Sequence, residues 1–580
     1  TFTLSFNQLD AANPVSEVAK RLLASVICFV PGEPIPQKLL LSAVTPDEAD
    51  LDAVLTAEDG LAWLITSGLL QAKGSLTVEI HQLVASVASE ILGRLDVQPN
   101  VEQAMVNWLN DVLQQENYLF SLRMPSAHLH HITDAALKRA DLMAARLSYL
   151  WGHHLYDIAD YRNAEHYLVQ ALAIQQKLLD PNHLDTANTH RFLGNLIRDS
   201  RSDLQLAQRH IENALTIHES FLGENHLETA ESLYELGVLY IELGNYKAAQ
   251  QCLERSLATR KKLLDPNSPI IARSHSRLGA AYWYGGDFTS TRPHFEKALQ
   301  IQEKTLGGEH TQTAITYHSL GALYLELGDY KQAQSYLEEA LRIGILIREP
   351  NHPITALHRH LLGYTHLYLG NFGLAHTYFE EALAAKKQTL GPEHPSTAAT
   401  ISGLGELFVI MGSYETGLRH LEEALSIRQS GLDASHPAIA RSFFSLGEYY
   451  QVIGELEKAL DHVRRALAIR ENESATNYVD MAGVLTKLGE ITIQLEDFDA
   501  AWGYLSRALT IHETEPTPRF RLAQTLAVLG NLDVQMGDDQ DGTAHYERAL
   551  AIYEDMYGAD DGKTADIHHR LENLKQKTIN

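Results

Sequence analysis

Cysteine is almost missing from this sequence: Cys28 and Cys252 are the only two in 580 residues. Two thiols build no disulfide framework, and the expectation is a reducing, cytoplasmic setting. No apolar run reaches the roughly 18 residues of a membrane span, and no signal peptide is recognised. Basic charge is scarce as well. Lys and Arg number 47 against 74 Asp and Glu, a formal net charge of −27. A nucleic-acid reader needs a basic face, so that class is excluded. The acidity suits a basic peptide partner, although by itself it speaks only to solubility. Catalytic signatures are lacking too. There is no GxxxxGK[ST] phosphate loop, no GxSxG elbow, no HExxH and no CxxC, so no enzyme and no cofactor or metal of the chain's own is expected.

What the sequence has is a period. Leu320-Gly321 recurs as Leu193-Gly194, Leu236-Gly237, Leu278-Gly279, Leu362-Gly363, Leu404-Gly405, Leu446-Gly447, Leu488-Gly489 and Leu529-Gly530. A second register runs in step from Ala171-Leu172 through Ala340-Leu341 to Ala549-Leu550, with Ser256-Leu257 keeping the spacing where Ala is replaced. Its steps are 43, then 42 seven times, then 41. A fixed period of this length means a solenoid of stacked units. Each unit reads as two helices: Ala314 to Leu325 at helical spacing, a stop at Gly328-Asp329, and a second helix from Tyr330 through Ala333, Leu337, Ala340 and Ile343. A Gly inside a helix costs about 1 kcal/mol against Ala, so its return implies a backbone contact that excludes a side chain. Ala333 and Ala340 read the same way.

Leu-Gly-x-x-Tyr, then Gly-x-Tyr-x-x-Ala, then Ala-Leu, resembles the tetratricopeptide-repeat (TPR) signature over roughly residues 134–580. The 42-residue period with His-Pro between units (His352-Pro353, His394-Pro395, His436-Pro437) resembles the long-helix variant of kinesin light chains. It also resembles the C-terminal arrays of bacterial STAND-type signalling NTPases. The implied fold is all-α: a right-handed superhelical solenoid of about ten hairpins over 134–562, closed by a capping helix at 563–580. The repeat at Gly279 carries Thr291 for Ala and Pro293 inside its second helix, so a distorted helix is expected there. The repeat at Gly530 reads as having a loose turn from Gly537 to Gly542. An extra residue in the turn Asp199 to Asp203 accounts for the step of 43.

Residues 1–95 break the period. Thr3–Phe6 alternates like a strand, Pro14 opens a helix, PGEPIP at 31–36 turns into a short helix at Gln37–Ala43, and Asp50 to Ser67 is a further helix. Leu69-Leu70-Gln71, the Gly74 turn and Leu76–Ile80 read as a β-hairpin, followed by a helix from His81 to Leu95. This order resembles the winged-helix domain that follows the nucleotide-binding core of NB-ARC-type STAND NTPases. The resemblance rests on Leu4-Ser5-Phe6, Ala24 to Pro36, Ser67-Gly68-Leu69-Leu70 and Ile80-His81-Gln82-Leu83-Val84. His81 stands where relatives carry the His of a Met-His-Asp motif that contacts ADP; Ile80 replaces its Met and Gln82 its Asp. DNA binding by this module is excluded by five basic residues (Lys20, Arg21, Lys38, Lys73, Arg94) against eleven acidic ones. Residues 96–133 are expected to be a helical linker or degenerate leading repeat, with 96–100 as linker and a helix over Val101 to Leu122 ended by Pro125. The sequence starts at Thr1 in what reads as mid-protein, so an upstream NTPase core holding ADP or ATP is expected.

Of 29 histidines, His226, His310, His352, His394 and His436 sit just before first helices and are read as caps. His128, His130 and His131, and the pairs His153-His154 and His568-His569, lack a second cluster at ligand spacing, so no metal is expected. By the family resemblance, helix A lines a concave ligand groove. The positions it implies are Tyr149, His153, Tyr156, Arg191, Asn195, Arg198, Tyr234, Trp283, Tyr284, His318, His360, Tyr364, Leu367, Tyr368, Phe444 and Glu448, with Arg273 and Arg441 one turn earlier. Clustered Trp, Tyr and Arg are what binding hot spots are made of, and the expected centre is Trp283, Tyr284, Tyr364 and Tyr368. The implied function is a sensor array binding a protein or peptide trigger and regulating the NTPase core. A passive adapter carrying peptide cargo, as kinesin light chains do, is the alternative. An adapter has no use for the winged helix.

Overall fold

The computed structural model describes residues 13–45, 50–74, 76–92, 96–113, 126–200, 203–347, 352–472, 478–515, 517–559 and 561–579. The expected strand at Thr3–Phe6, the end of the helix expected to reach Leu122, Pro125 and part of the Asp199–Asp203 turn lie outside these residues. The chain forms two units, residues 1–235 and 236–580.

The first unit begins with a small mixed module. Helix α1 (Pro14–Ile27) starts at Asn13, whose side chain accepts from Val15 N–H, with Pro14 in its first turn. Strand β1 (Ile35–Pro36) runs into α2 (Gln37–Ser42), and α3 (Leu51–Thr66) starts at the Asp50 cap. Strands β2 (Gln71–Lys73) and β3 (Thr77–Glu79) flank Gly74, whose φ of +72° suits glycine. The sheet order is β1-β3-β2, all antiparallel, with Ile35 opposite Val78 and Ala72 opposite Val78. Helix α4 (Gln82–Leu92) closes the module. Leu22, Leu23, Phe29, Ile35, Leu40, Leu64, Val78 and Ile80 are fully buried in it.

Helix α5 (Gln98–Leu113) takes Pro99 into its first turn, so residues 98–100 are helix rather than linker. Helix α6 (Ser126–Leu137) follows. Its His128 is fully buried and joins the module to the array: Nδ1 accepts from Val30 N–H at 3.0 Å, and Nε2 lies 3.1 Å from Pro34 O. With Nδ1 accepting, the proton sits on Nε2 and donates to Pro34. Burial holds the pKa of His128 below its usual value.

From there the chain is helical hairpins: α7 (Leu142–Asp157) with α8 (Tyr161–Leu178), and α9 (Leu184–Ser200) with α10 (Leu204–Leu222). Helices α11 (Leu227–Glu242) and α12 (Tyr246–Leu263) come next, and the boundary between the units falls within α11. The second unit continues with α13 (Pro269–Tyr284) and α14 (Phe288–Thr305), then α15 (Thr311–Leu327) and α16 (Tyr330–Ile347). Next come α17 (Pro353–Tyr368) and α18 (Phe372–Thr389), then α19 (Pro395–Ile410) and α20 (Tyr414–Gly431). It ends with α21 (Pro437–Val452) and α22 (Leu456–Glu471), α23 (Tyr478–Gln494) and α24 (Phe498–Thr514), α25 (Arg519–Met536) and α26 (Asp539–Tyr557), and a single α27 (Gly562–Ile579). Ile567, Leu571 and Leu574 of α27 cover Tyr546 and Tyr553.

The repeated glycine has the expected cause. A Cβ at Gly321 would stand 2.5 Å from Leu337 Cγ and 3.3 Å from the Ala333 carbonyl. The same collision recurs at Gly152 with Leu168, Gly237 with Leu253, Gly363 with Phe379, Gly447 with Val463 and Gly489 with Leu505. Ala333 and Ala340 are fully buried. The histidine caps are also present: Nδ1 of His226, His310, His352, His394 and His436 each accepts from the N–H two residues on.

Helix α14 continues through Pro293, whose ring is exposed while Thr291 and Phe295 are buried. One expectation is corrected. The turn after Gly530 is tight, not loose. Gly537 is a left-handed C-cap, Asp538 caps α26, and Gly542 lies inside that helix, where a Cβ would meet Val534 at 2.8 Å.

Two buried histidine pairs repeat in register. His190 and His210 bring Nδ1 atoms within 2.8 Å, and His275 and His294 within 3.0 Å. One ring of each pair must donate and the other accept, so at least one ring is neutral, and desolvation lowers all four. Burial, reinforced by the neighbouring histidine, lowers His190 to about 4. Burial, reinforced by Lys261, His294 and Lys297, lowers His275 to about 3. Unfolded histidine titrates near 6.5, so between that value and the folded ones the unfolded chain binds more protons. Stability is therefore complete above pH of about 6.5 and falls as pH drops towards about 4. Urea midpoints at pH 7.5, 6.0 and 5.0 should decline in that order; equal midpoints would show the pairs exert no such pull. Gly321→Ala should destabilise the second unit by about 1–3 kcal/mol. Gly373→Ala, where no atom lies within 4 Å, should not destabilise it.

Candidate functional site in the second unit

The site starts from one oversized side chain. Phe379 on α18 fits because α17 and α19 offer glycine against it: Cβ atoms at Gly363 and Gly403 would lie 2.6 and 2.7 Å from its ring. His360 and Tyr364, one helical turn apart on α17, pack edge-on against that ring, with centroids at 6.0 and 5.1 Å. Tyr364 stacks on Tyr368 at 6.2 Å, and Tyr368 on Tyr330 at 5.1 Å. The result is an aromatic wall along α17 and the start of α16.

The wall bounds a cavity of about 1280 Å³. Glu326 comes from α15, Arg428 from α20, Arg441 and Glu448 from α21, Arg470 from α22, Asp480 from α23, Phe520 and Arg521 from α25, and Tyr553 and Lys563 from the last two helices. The unit curls far enough to close this space. The Tyr557 hydroxyl donates to the Leu327 carbonyl at 3.4 Å, 230 residues away in sequence. It lies where a Cβ on Gly328 would come within 2.6 Å.

The electrostatics follow from desolvation between these walls. Burial raises Tyr364 and Tyr368 well above the usual phenol range, against the pull of Arg441, so both are neutral donors. Burial, with Lys386 and Arg428 close by, holds His360 well below its usual value. Lys386 is pushed down to about 8 by burial and then by Arg428. Glu326 and Glu448 are raised by burial, opposed by Arg521 and Lys487 respectively. Such a lining can hold a ligand by stacking, hydrogen bonds and charge.

Three models of the tetratricopeptide repeat match the chain: one at residues 197–262, 270–345, 354–416 and 396–472, a second at 155–185 and 522–561, and a third at 234–304. The array is built of tetratricopeptide repeats. Among solved structures, the STAND protein with a tetratricopeptide repeat sensor from Pyrococcus horikoshii is 16% identical, with a TM-score of 0.50 over 81% of this chain and 67% of its own. A putative kinesin light chain of nearly identical TPR-like repeats from Podosopora anserina is 26% identical over 35% of this chain and 97% of its own, TM-score 0.32. The apo quorum sensor NprR of B. thuringiensis is 16% identical over 64% and 99%, TM-score 0.48. At these identities the likeness is one of fold. No curated protein matches the chain.

Of the groove positions expected from TPR relatives, His360, Tyr364, Tyr368, Glu448 and Arg441 meet in the cavity. The expected centre divides. Trp283 packs against Phe295 at 5.9 Å in a hydrophobic cluster, while Tyr284 is exposed and stacks on Tyr246 at 6.1 Å. Leu367 is buried, Phe444 packs on the core of its neighbours, and His318 pairs with His358 at 3.0 Å. Arg273 is exposed on α13.

In the first unit the expected positions bind each other. Tyr149 and His153 pack on Phe192, Tyr156 donates to Asp199, Arg191 pairs with Glu228 at 2.8 Å and Arg198 with Glu235 at 2.6 Å. Asn195 and Tyr234 are buried. Burial raises the Tyr149 phenol to about 12. These side chains tie helices α7, α9 and α11 together.

Sequence reasoning missed Arg428 and Arg470, although a signal was available. At 42-residue steps the end of each second helix carries His218, Arg260, Gln302, Gly344, Lys386, Arg428, Arg470 and His512, and the seven with side chains are all buried. They reach into the next first helix: Arg260 to Ser274 Oγ at 2.6 Å, Lys386 to Ser396 O at 3.0 Å, Arg428 to Ser442 Oγ at 2.6 Å, Arg470 to Asp480 at 2.8 Å.

Gly328 and Gly370 both have left-handed backbones, φ +79° and +76°, but only Gly328 faces Tyr557. Alanine should cost either site about 1 kcal/mol of backbone strain. Gly328→Ala should in addition raise the radius of gyration in small-angle X-ray scattering, and Gly370→Ala should not. Equal scattering from the two variants would show that the Tyr557 contact does not hold the unit closed.

Proposed function

We propose that the chain is the non-catalytic recognition array of a STAND-type signalling NTPase, and that its trigger is a protein or peptide held in the groove of the second unit. The observation that carries the reading is the cavity itself: neutral tyrosines Tyr364 and Tyr368 beside Arg441, in a space larger than the roughly 300–1,000 Å³ of small-molecule pockets. Enrichment in Tyr and Arg is the composition of binding hot spots.

The helices and β-hairpin of residues 14–92 follow the order of a winged helix, which supports a sensor over a passive adapter. His81 Nδ1 accepts from Leu83 N–H at 3.2 Å, capping α4. That fixes the ring proton on Nε2, the donor that a nucleotide phosphate in an upstream core would meet. ADP or ATP would be bound by that core, and this chain would contribute only the one histidine. A ligand shifts such a switch only by binding its two states differently. No helix among the described residues is long and apolar enough to cross a membrane, and the proposed setting is the cytoplasm.

The test is affinity capture from the cytosol of the source cells on the chain and on a Tyr364→Ala/Tyr368→Ala variant. A peptide or protein should be retained by the former and lost from the latter, with far-UV circular dichroism unchanged; Tyr368 is 45% exposed, so any fall in melting temperature traces to Tyr364 on Phe379. Truncation of such a ring typically costs about 2 kcal/mol or more of binding. Equal capture by both chains would place recognition elsewhere.

A further inference from the structure

The cavity runs against the charge of the chain that forms it. Five cationic side chains line it against four carboxylates, in a protein of net charge −27. One carboxylate, Asp480, is paired with Arg470 at 2.8 Å. Arg428 spends its guanidinium on Ser442 Oγ and the Ala438 carbonyl. Arg441, Arg521 and Lys563 have no carboxylate within ion-pair distance among the described residues. The Arg521 guanidinium lies 5.0 Å above the Phe520 ring and its Nε is buried without a hydrogen-bond partner; Lys563 lies 5.4 Å above the Tyr557 ring. Arg521 and Lys563 held on aromatic faces, with a buried Arg521 donor left open, and Arg441 on the same cavity wall with Glu406 and Glu448 acting on it, form a site that can take an anion.

The sequence opens space in front of these cations. The register of Arg441 carries Ala399 one repeat earlier and Gly483 one repeat later. At Gly483 the nearest atom to a built Cβ is Arg521 Nη1, at 3.8 Å. A larger residue at 483 would fill the space beside Arg521. Of the three remaining carboxylates, burial favours the protonated form of Glu326 and Glu448, and Asp433 lies in the turn before α21.

Resting on the groove reading above, we propose that Arg441 and Arg521, with Lys563 behind them, form an anion-binding subsite for an acidic or phosphorylated side chain of a bound peptide, whose neighbouring residues stack on Tyr364 and Tyr368. The shared chemistry is an oxyanion. Guanidinium forks accept either carboxylate or phosphate in bidentate fashion.

The test uses fluorescein-labelled hexapeptide pools, acetylated and amidated so that no terminal charge remains, with one position fixed as Glu, phosphoserine, Gln or Lys. Anisotropy is measured on the full chain. The Glu or phosphoserine pool should bind at least about tenfold more tightly than the Gln pool, and the Lys pool least. Preference for phosphoserine over Glu identifies phosphate as the source; parity means that a carboxylate suffices. Arg441→Gln/Arg521→Gln should erase the preference, bringing the Glu and phosphoserine pools level with the Gln pool on the same variant, with the far-UV circular dichroism unchanged. Lys563→Gln should reduce the preference in part. Equal binding of all pools, or a preference that survives in Arg441→Gln/Arg521→Gln, overturns the subsite and leaves the groove reading standing. Binding of no pool removes the groove reading and the subsite with it.

Discussion

The constraint on which the rest depends is the contact between a glycine on each first helix and one side chain on the second. With Cβ positions at 2.3 to 2.9 Å from Leu, Ile, Val, Phe or Tyr atoms, any larger residue at these positions would drive the two helices apart. Close packing has little room to absorb such a change. Each hairpin therefore has one spacing, and the stacking angle between hairpins is inherited from it. Repeated through the second unit, that geometry returns the end of α26 to the end of α15 and curves around an open cavity.

Polar residues at the ends of the second helices add a second layer of order. Lys386, Arg428 and Arg470 are buried and each reaches into the first helix of the following repeat. They cross-link neighbouring repeats and leave positive charge just behind the cavity wall. Burying such groups is tolerable only because each is hydrogen-bonded. The same register holds His218, paired with Ser232, and His512, paired with Thr525, where a neutral ring does the linking without the charge. Charge in this register thus falls at Arg260 and on the three consecutive repeats of Lys386, Arg428 and Arg470.

The fold was legible because it is periodic. Leu-Gly, Gly-x-Tyr-x-x-Ala and the histidine caps each repeat inside one chain, and each has a local cause. The site was legible only in part. His360, Tyr364, Tyr368, Glu448 and Arg441 follow from their register, whereas Trp283 shares the register of Leu367 and packs, partly buried, against Phe295. Tyr149 and Arg191 have partners of their own in the first unit. Phe192 and Glu228 next to them fill and neutralise the face they share. Glu326, Arg521 and Lys563 were out of reach, since they meet only when helices more than 150 residues apart in the chain are brought together by curvature. A periodic pattern specifies neighbours; it does not specify what closes across a turn.

Closure of the second unit is thus the central claim, and a distance between its two ends tests it most directly. Spin labels at Asp329 and Asp555, both exposed, can be placed in a Cys28→Ser/Cys252→Ser background and read by double electron–electron resonance. The account predicts a single narrow distribution at short distance in the unliganded chain. A broad distribution extending to long distances would show that Tyr557 does not rest on Leu327, and the cavity that its contact bounds would fall with it.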